Sequence, residues 1–286
     1  MATPRLALAV IGDEIGPSLQ EMISFAAEHG VHRLDMRTVD GRNLLGMSFH
    51  EVSTISRALH QAGIVVPTLV SPVLKWAAPH KPAATGKVDF AFDPDSCPAP
   101  DPIAHAFDIA KDLGAGKIRV FSFLRYPGFH PADLTEAVER LMDFARRYDI
   151  LVEVENEPVC NVGSLAELAA FFRSFDTVPS HLRPLIDIGN TWSMGQPPSA
   201  EDIAFLAPMV DLIHLKDRDF TARRAVPLGD GGVPWADELR RLLQGVSVPE
   251  VTASLEIHCF NDGRNAVARS IAALRRIGGE IGAEVV

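Results

Sequence analysis

The chain has 286 residues, of which 47% are hydrophobic and 22% charged, and its formal net charge is −10. That length suits two average domains or one α/β barrel of roughly 250 residues, and a chain of this size buries about three-quarters of its unfolded surface without needing a disulfide or a metal to fold. The acidic balance argues against a broad nucleic-acid face, because phosphate neutralisation needs clustered cations; a small anionic substrate held by two or three local arginines remains compatible with it.

In chain order, short apolar runs alternate with longer amphipathic ones. The pattern predicts strands over 6–11, 31–36, 64–70, 117–123, 150–154, 185–188, 210–215 and 251–257. Between them it predicts helices over 17–29, 49–62, 102–113, 131–148, 164–175, 200–206, 235–243 and 264–277. Pro17 and Pro131 suit a first helical turn, where no donor is needed. Ser164 with Glu167 reads as a capping box. Gly30, Gly63 and Gly114 fall where helices should end, since glycine accepts the left-handed conformation there.

Strict alternation of strand and helix implies parallel strands with crossover connections. Eight units predict a single (β/α)8 TIM barrel spanning 1–286, closed so that no sheet edge is left. An open doubly wound sheet is the alternative, but no Gly-x-Gly-x-x-Gly follows an early strand. The Pro-rich stretch 71–100 reads as a long loop after the third strand, of the kind that covers active sites. Cys97, Cys160 and Cys259 have no short spacing, which fits reduced thiols in a cytoplasmic protein. The N-terminus lacks the pattern of a signal peptide, and no apolar stretch approaches 18 residues, so no membrane partner is expected.

The ends of strands five to eight are the informative positions. Strand five runs into Glu153-Val154-Glu155-Asn156-Glu157-Pro158 and strand six into Asp187-Ile188-Gly189-Asn190. Strand seven runs into His214-Leu215-Lys216-Asp217 and strand eight into Glu256-Ile257-His258. In a barrel such groups collect at the C-terminal mouth, where catalytic residues lie. Two Glu, one Asp and one His converging there would repel one another without a cation. An oxygen-rich set with one nitrogen suits a divalent ion: Mn²⁺, Mg²⁺ or Co²⁺ first, with Fe²⁺ or Zn²⁺ also accommodated. Unrelated loop hydrogen bonds would explain any one of these residues alone; four in succession at one end favour a metal site.

The succession Val-Glu-Asn-Glu-Pro, Asp-Ile-Gly-Asn, Ile-His-Leu-Lys-Asp, Leu-Gly-Asp-Gly-Gly-Val-Pro-Trp and Ser-Leu-Glu-Ile-His resembles the xylose-isomerase-like barrel superfamily. That group includes sugar phosphate isomerases and epimerases, ketose 3-epimerases, inosose and dehydroshikimate dehydratases, and an apurinic endonuclease branch. The resemblance implies one divalent metal ion held by Glu155, Asp187, His214 and Glu256. Glu155 is chosen because the family's Glu-Asn pair matches Glu155-Asn156; Glu153 points the same way on a period of two and stays a rival. Asn190 stands where many relatives have a second histidine. The endonuclease branch needs an Asp-x-His shortly before the Leu-Gly-acidic-Gly loop, and here those positions are Arg223 and Ala225.

A single metal flanked by two glutamates suits proton abstraction beside a carbonyl, with Glu155 and Glu256 as the proton-transfer pair. The expected activity is an isomerase or epimerase acting on a small sugar, ketose or polyol through an enediolate. Loss of a β-hydroxyl would make the same site a dehydratase, and a sugar-binding barrel without chemistry is a third reading. Around the mouth, Asn190, Lys216 and His258 could contact substrate, Arg37 and Arg125 could hold a carboxylate or phosphate, and Trp192 or Trp76 could stack on a sugar ring. Salt bridges to Asp217 or Asp219, loop anchoring and apolar packing are the competing roles. The Gly229-Asp230-Gly231-Gly232 turn superficially suggests phosphate cradling. The expected partner is a small carbohydrate-like molecule, with no nucleic acid; a homo-oligomer stays open.

Overall fold

The computed structural model describes residues 3–82 and 92–286. Eight parallel strands carry the fold: β1 (Arg5–Ile11), β2 (Leu34–Asp35), β3 (Thr68–Val70), β4 (Lys117–Val120), β5 (Leu151–Glu155), β6 (Leu182–Asp187), β7 (Leu212–Leu215) and β8 (Glu250–Leu255). They pair in the order β2-β1-β8-β7-β6-β5-β4-β3. The two end strands meet through isolated parallel bridges, Arg33 with Val65 and Met36 with Leu69. Backbone hydrogen bonds from Leu34 N to Val65 O (3.0 Å) and from Val70 N to Met36 O (2.9 Å) complete the ring. The helices are α1 (Leu19–His29), α2 (Phe49–Gln61), α3 (Pro102–Leu113), α4 (Thr135–Tyr148), α5 (Leu165–Arg173), α6 (Ile188–Ser193), α7 (Ala200–Leu206), α8 (Trp235–Leu243) and α9 (Gly263–Ile281). The architecture is a (β/α)8 barrel, as the alternation implies.

Alternation within the strands sets what faces where. Leu6, Leu8 and Val10 of β1, and Val251, Ala253 and Leu255 of β8, belong to the apolar layer shared with the helices. Their neighbours Ala7, Ala9, Thr252 and Ser254 therefore point into the barrel. The helices begin where short polar side chains satisfy their first amides: Ser18 with Glu21, Ser48 with Glu51 and Ser164 with Glu167 each form a capping box. Asp101 caps α3 ahead of Pro102.

Several boundaries differ from expectation. Pro17 precedes the Ser18 cap instead of opening the helix, because the serine side chain accepts from Glu21 N. The first turn after Pro131 is 3-10, and α4 starts at Thr135. Ile188 ends no strand; it opens α6, because Asp187 turns the chain by capping that short helix. Strands β2 and β3 are shorter than the runs 31–36 and 64–70, since closure there rests on single bridges.

Residues 83–91, the centre of the loop expected to cover the mouth, lie outside the described residues. Before them, Phe121 N donates to Val73 O and Leu124 N to Trp76 O, both at 2.9 Å, so residues 73–76 are tied to the chain after β4. Among the described residues no helix is long and apolar enough to cross a membrane.

Candidate metal centre

Each acidic or imidazole side chain of interest stands where a strand has just delivered it to the mouth. Glu155 is the last residue of β5 and Asp187 the last of β6; His214 lies on β7, and Glu256 follows Leu255 at the end of β8. One donor atom from each lies within 4.8 Å of the others, and all four residues are buried. His214 Nδ1 is 3.3 Å from Glu155 Oε1 and 3.3 Å from Glu256 Oε2.

Asp187 is held from three sides. Its Oδ1 accepts from Asn190 N at 2.7 Å. Its own N–H donates to Asn156 Oδ1 at 2.8 Å, while Asn156 Nδ2 donates back to the Asp187 carbonyl at 2.8 Å. Asn156, unremarked in the sequence beyond its place beside Glu155, therefore locks β5 to β6. Gly189 lets α6 approach the end of β7: a Cβ there would lie 2.4 Å from Lys216 O.

A set of cations surrounds the acids. Arg119 Nη1 is 2.6 Å from Glu155 Oε2. Lys216 Nζ is 2.9 Å from Asp187 Oδ2 and 2.6 Å from Glu256 Oε2. Arg37 reaches Glu256 at 3.0 Å, Glu14 at 2.9 Å and Asp13 at 3.0 Å. Farther out, Lys75 lies 3.6 Å from Glu157. Glu14, Lys75 and Arg119 escape the sequence reading, although the alternation of Lys117 and Arg119 with Ile118 and Val120 marks Arg119 as pointing inward.

The electrostatics follow from burial and proximity. Burial raises the Asp187 carboxyl to about 7, even with Lys216 opposing. Burial would lower His214, but Glu155 and Glu256 outweigh it and push the imidazole up to about 10. Burial and Glu256 push Glu155 up, yet His214 and Arg119 prevail and hold it at about 2. Glu256 is likewise held well below the usual range despite burial, by Lys216 and His214. A buried set of three carboxylates and one imidazole could hold a divalent ion, and its single nitrogen among oxygens leaves the identity of the ion open.

Glu153 does not join the cluster. It is buried near Asp211 and Lys117, at the opposite end of the barrel, and burial raises its carboxyl well above the usual range. Lys216 turns to Asp187 and Glu256, not to Asp217 or Asp219. Asn190 lies at the site, its Nδ2 donating to Asn156 O at 2.8 Å and reaching to 3.5 Å from Glu155 Oε1. His258 borders the site in a left-handed backbone conformation (φ 53°), its N–H donating to Glu14 Oε2 at 2.8 Å. Its Nε2 is 3.5 Å from Glu256 Oε1, and beside it opens a cavity of about 650 Å³ that Cys259, Phe260 and Arg224 also line.

Other expected contacts are committed elsewhere. Arg37 is fully enclosed by its three carboxylates. Arg125 forms a two-pronged pair with Glu167, both bonds at 2.9 Å. Trp192 donates to Glu238 at 3.0 Å and stacks on Phe220. Trp76 sits near Phe92, ring centres 6.4 Å apart. The glycine turn is no phosphate cradle: Gly229 N and Gly231 N both donate to Asp217 Oδ2, at 2.9 and 3.2 Å, so a carboxylate already fills that nest.

Fold and site together define a (β/α)8 barrel with a buried carboxylate–histidine cluster at its C-terminal mouth. The chain belongs to the xylose isomerase-like TIM barrel family, whose model matches residues 23–277. No curated protein matches it. Among solved structures it is similar to the IOLI protein with a bound zinc atom, at 14% identity and TM-score 0.71, over 96% of this chain and 99% of that one. It is also similar to the 3-keto-D-glucoside 4-epimerase YcjR from E. coli, at 15% identity and TM-score 0.66, over 95% and 100% of the two chains. A third is the probable 3-DHS dehydratase AsbF from Bacillus anthracis, at 17% identity and TM-score 0.65, over 94% and 98%. At such identities the likeness is one of fold.

Proposed function

We propose that the protein is a divalent-metal-dependent isomerase or epimerase of a small sugar, ketose or polyol, and that Glu155, Asp187, His214 and Glu256 hold the ion. The observation that carries this is the buried cluster itself, four donors within 4.8 Å at the mouth of the barrel. When bound, the ion would supply Lewis acidity to the substrate's carbonyl and hydroxyl oxygens and so stabilise an enediolate.

The chain's own residues supply the proton transfers. Glu155 and Glu256 come from non-adjacent strands and can approach a substrate carbon from different sides, one carboxylate taking the proton and the other returning it. His214 and Arg119 keep Glu155 ionised, Lys216 and His214 do the same for Glu256, and Arg119 and Arg37 fix the orientation of the two carboxylates. Lys216 reaches both Asp187 and Glu256 and is placed to donate to a substrate oxygen. Asn190, on the first turn of α6, is a second donor for substrate hydroxyls.

A dehydratase reading has one observation in its favour: His258, 3.5 Å from Glu256, stands where it could protonate a departing hydroxyl. The 3-DHS dehydratase and the 3-keto-glucoside epimerase among the fold's relatives match the two outcomes.

A panel of ketoses, keto-polyols and polyols in deuterated water, with Mn²⁺ present, tests the reading. The wild type should exchange the proton α to the carbonyl of its substrate. Glu155→Gln and Glu256→Gln should each lower turnover by about 10²-fold or more while keeping much of the substrate affinity. Turnover without solvent exchange, unchanged in both variants, would assign the chemistry to a hydride shift or to other residues.

A further inference from the structure

Beneath the candidate metal centre, the side of the barrel interior formed by β1, β2, β3 and β8 is lined by polar and small side chains. TIM barrels generally fill this space with layers of bulky branched residues. Here β1 contributes Ala7 and Ala9, β2 contributes Asp35, β3 contributes Thr68 and β8 contributes Ser254. All five are buried. Ser254 is the register partner of His214 across β8 and β7, and Asp35 lies beside Ser254 and Thr68 and within electrostatic reach of His214.

The polar atoms of this layer have unmet bonding capacity. Among the described residues, both Asp35 carboxylate oxygens, Thr68 Oγ1, Ser254 Oγ and His214 Nε2 are buried with no partner at full hydrogen-bonding distance, although the Ser254 and Thr68 hydroxyls lie close enough to favour the Asp35 carboxylate. An unsatisfied polar group in such surroundings is destabilising, and several close together mark a built feature of the barrel. Since His214 Nε2 has no partner at hydrogen-bonding distance, it does not meet Asp35 directly. A water between them would satisfy both, and the four polar side chains of this layer are the partners a buried water needs.

The orientation of His214 gives this layer a purpose. Its Nδ1 faces Glu155 and Glu256, so Nδ1 is the atom turned to the metal centre and the ring's other nitrogen points down into the barrel. A metal-ligating histidine almost always donates its second N–H to a carboxylate, a carbonyl or a water, which fixes tautomer and ring angle. We propose that Asp35 is the positioning residue for His214: through one ordered water in the Thr68–Ser254 layer it accepts the Nε2–H and presents Nδ1 to the metal ion. The proposal rests on the metal reading above, and it adds a residue from β2, three strands away from β7 around the barrel, to the support of that centre.

Two measurements decide it, neither depending on turnover. The first is titration of Mn²⁺ alone into wild type, Asp35→Leu and Asp35→Asn, each with its fold checked by circular dichroism. Asp35→Leu removes the acceptor at similar size and should bind Mn²⁺ about 10- to 100-fold more weakly, the range for loss of an outer partner of a ligand. Asp35→Asn keeps a carbonyl acceptor and should recover most of that loss. A merely structural role would lower stability in the leucine variant and leave the affinity of the folded protein unchanged, and that result overturns the proposal. The second needs no variant: a high-resolution crystal structure of the Mn²⁺-loaded wild type should show His214 ligating through Nδ1, with a water within about 3.2 Å of both Nε2 and an Asp35 oxygen. A dry layer, or ligation through Nε2, overturns it. Wild type that takes up no Mn²⁺ overturns the metal reading and this proposal together; wild type that binds Mn²⁺ no better than Asp35→Leu overturns this proposal alone.

Discussion

The two halves of the barrel contribute differently to one mouth. Strands β5 to β8 end in Glu155, Asp187, His214 and Glu256, the four clustered donors. The first half answers with arginines: Arg37, just after β2, reaches Glu256, and Arg119 on β4 reaches Glu155. The first half also brings acids of its own, Asp13 and Glu14, but both are bound to Arg37. Burying several carboxylates together is tolerable only when each is paired and hydrogen-bonded. The second half thus carries the donors and one cation, Lys216, on Asp187 and Glu256, while the first half adds the arginines that pair with Glu155 and Glu256 and set their direction.

The dependence of one half on the other is greatest at Arg37. Its guanidinium is enclosed and serves three carboxylates. Arg37→Met leaves those acids buried without their shared partner, and loss of one member of a buried ion pair costs about 3–5 kcal/mol. Urea unfolding with chelator present should show a loss of that size; a loss under about 1 kcal/mol would mean that the two halves are not electrostatically interdependent. The next effect belongs to the second half. Asp187→Ala should weaken Mn²⁺ binding by more than about 100-fold, beyond the cost of losing an outer partner. Its stability should change less than that of Arg37→Met, because Lys216 keeps Glu256 as a partner. A full metal complement in Asp187→Ala would remove the assignment of the centre.

The same division explains what could be read from the amino acids alone. The donors of the second half follow nearly unbroken apolar runs, so their position at strand ends is visible, and so is the eightfold alternation that makes the barrel. The first half hides its part. Arg119 interrupts an apolar strand and acquires meaning only when β4 lies beside β5 and Glu155. Arg37 looks free to take a substrate anion until the turn after β1 brings Asp13 and Glu14 against it. Asp187 marks the end of β6, but that it also caps α6 depends on a three-residue return of its side chain to Asn190 N. The glycine turn 229–232 looks like an anion nest and is one, for Asp217, a pairing twelve residues apart that no local pattern announces.

A subtler separation of the halves lies in the pH dependence of metal uptake. His214 is pushed up to about 10 by Glu155 and Glu256 against its burial, and burial raises Asp187 to about 7. Both protons must leave before these atoms can serve a cation, because ligands bind metal deprotonated. The sign is therefore fixed: affinity increases as pH rises. Between pH 7 and 10 the proton on His214 is displaced and affinity should rise about tenfold per unit; below 7 the Asp187 proton steepens the slope. Mn²⁺ titrations from pH 6 to 9, with calorimetry in two buffers of different protonation enthalpy, read the slope and the proton release directly. A flat profile would place the ion on other residues.

The smallest expected effect is at Arg125, and it sharpens the comparison because the residue type is the one found at Arg37. Arg125 follows β4 and pairs with Glu167 through two bonds of 2.9 Å, but both side chains are 37% exposed. Water can replace the guanidinium there. Glu167 also keeps the amides of Gly163 and Ser164, at 2.8 and 3.0 Å, as the closing half of the α5 capping box. An exposed pair of this kind contributes about 0–1 kcal/mol. Arg125→Met should therefore lower stability by no more than about 1 kcal/mol and leave Mn²⁺ affinity and turnover unchanged. Turnover falling more than about tenfold at unchanged stability would show that Arg125 releases Glu167 to hold an anionic group of the substrate, since a tenfold loss is about 1.4 kcal/mol of transition-state stabilisation that a purely structural pair does not supply. In that event the first half of the barrel would bind substrate as well as balance charge, and the division drawn between the halves would fail at this residue.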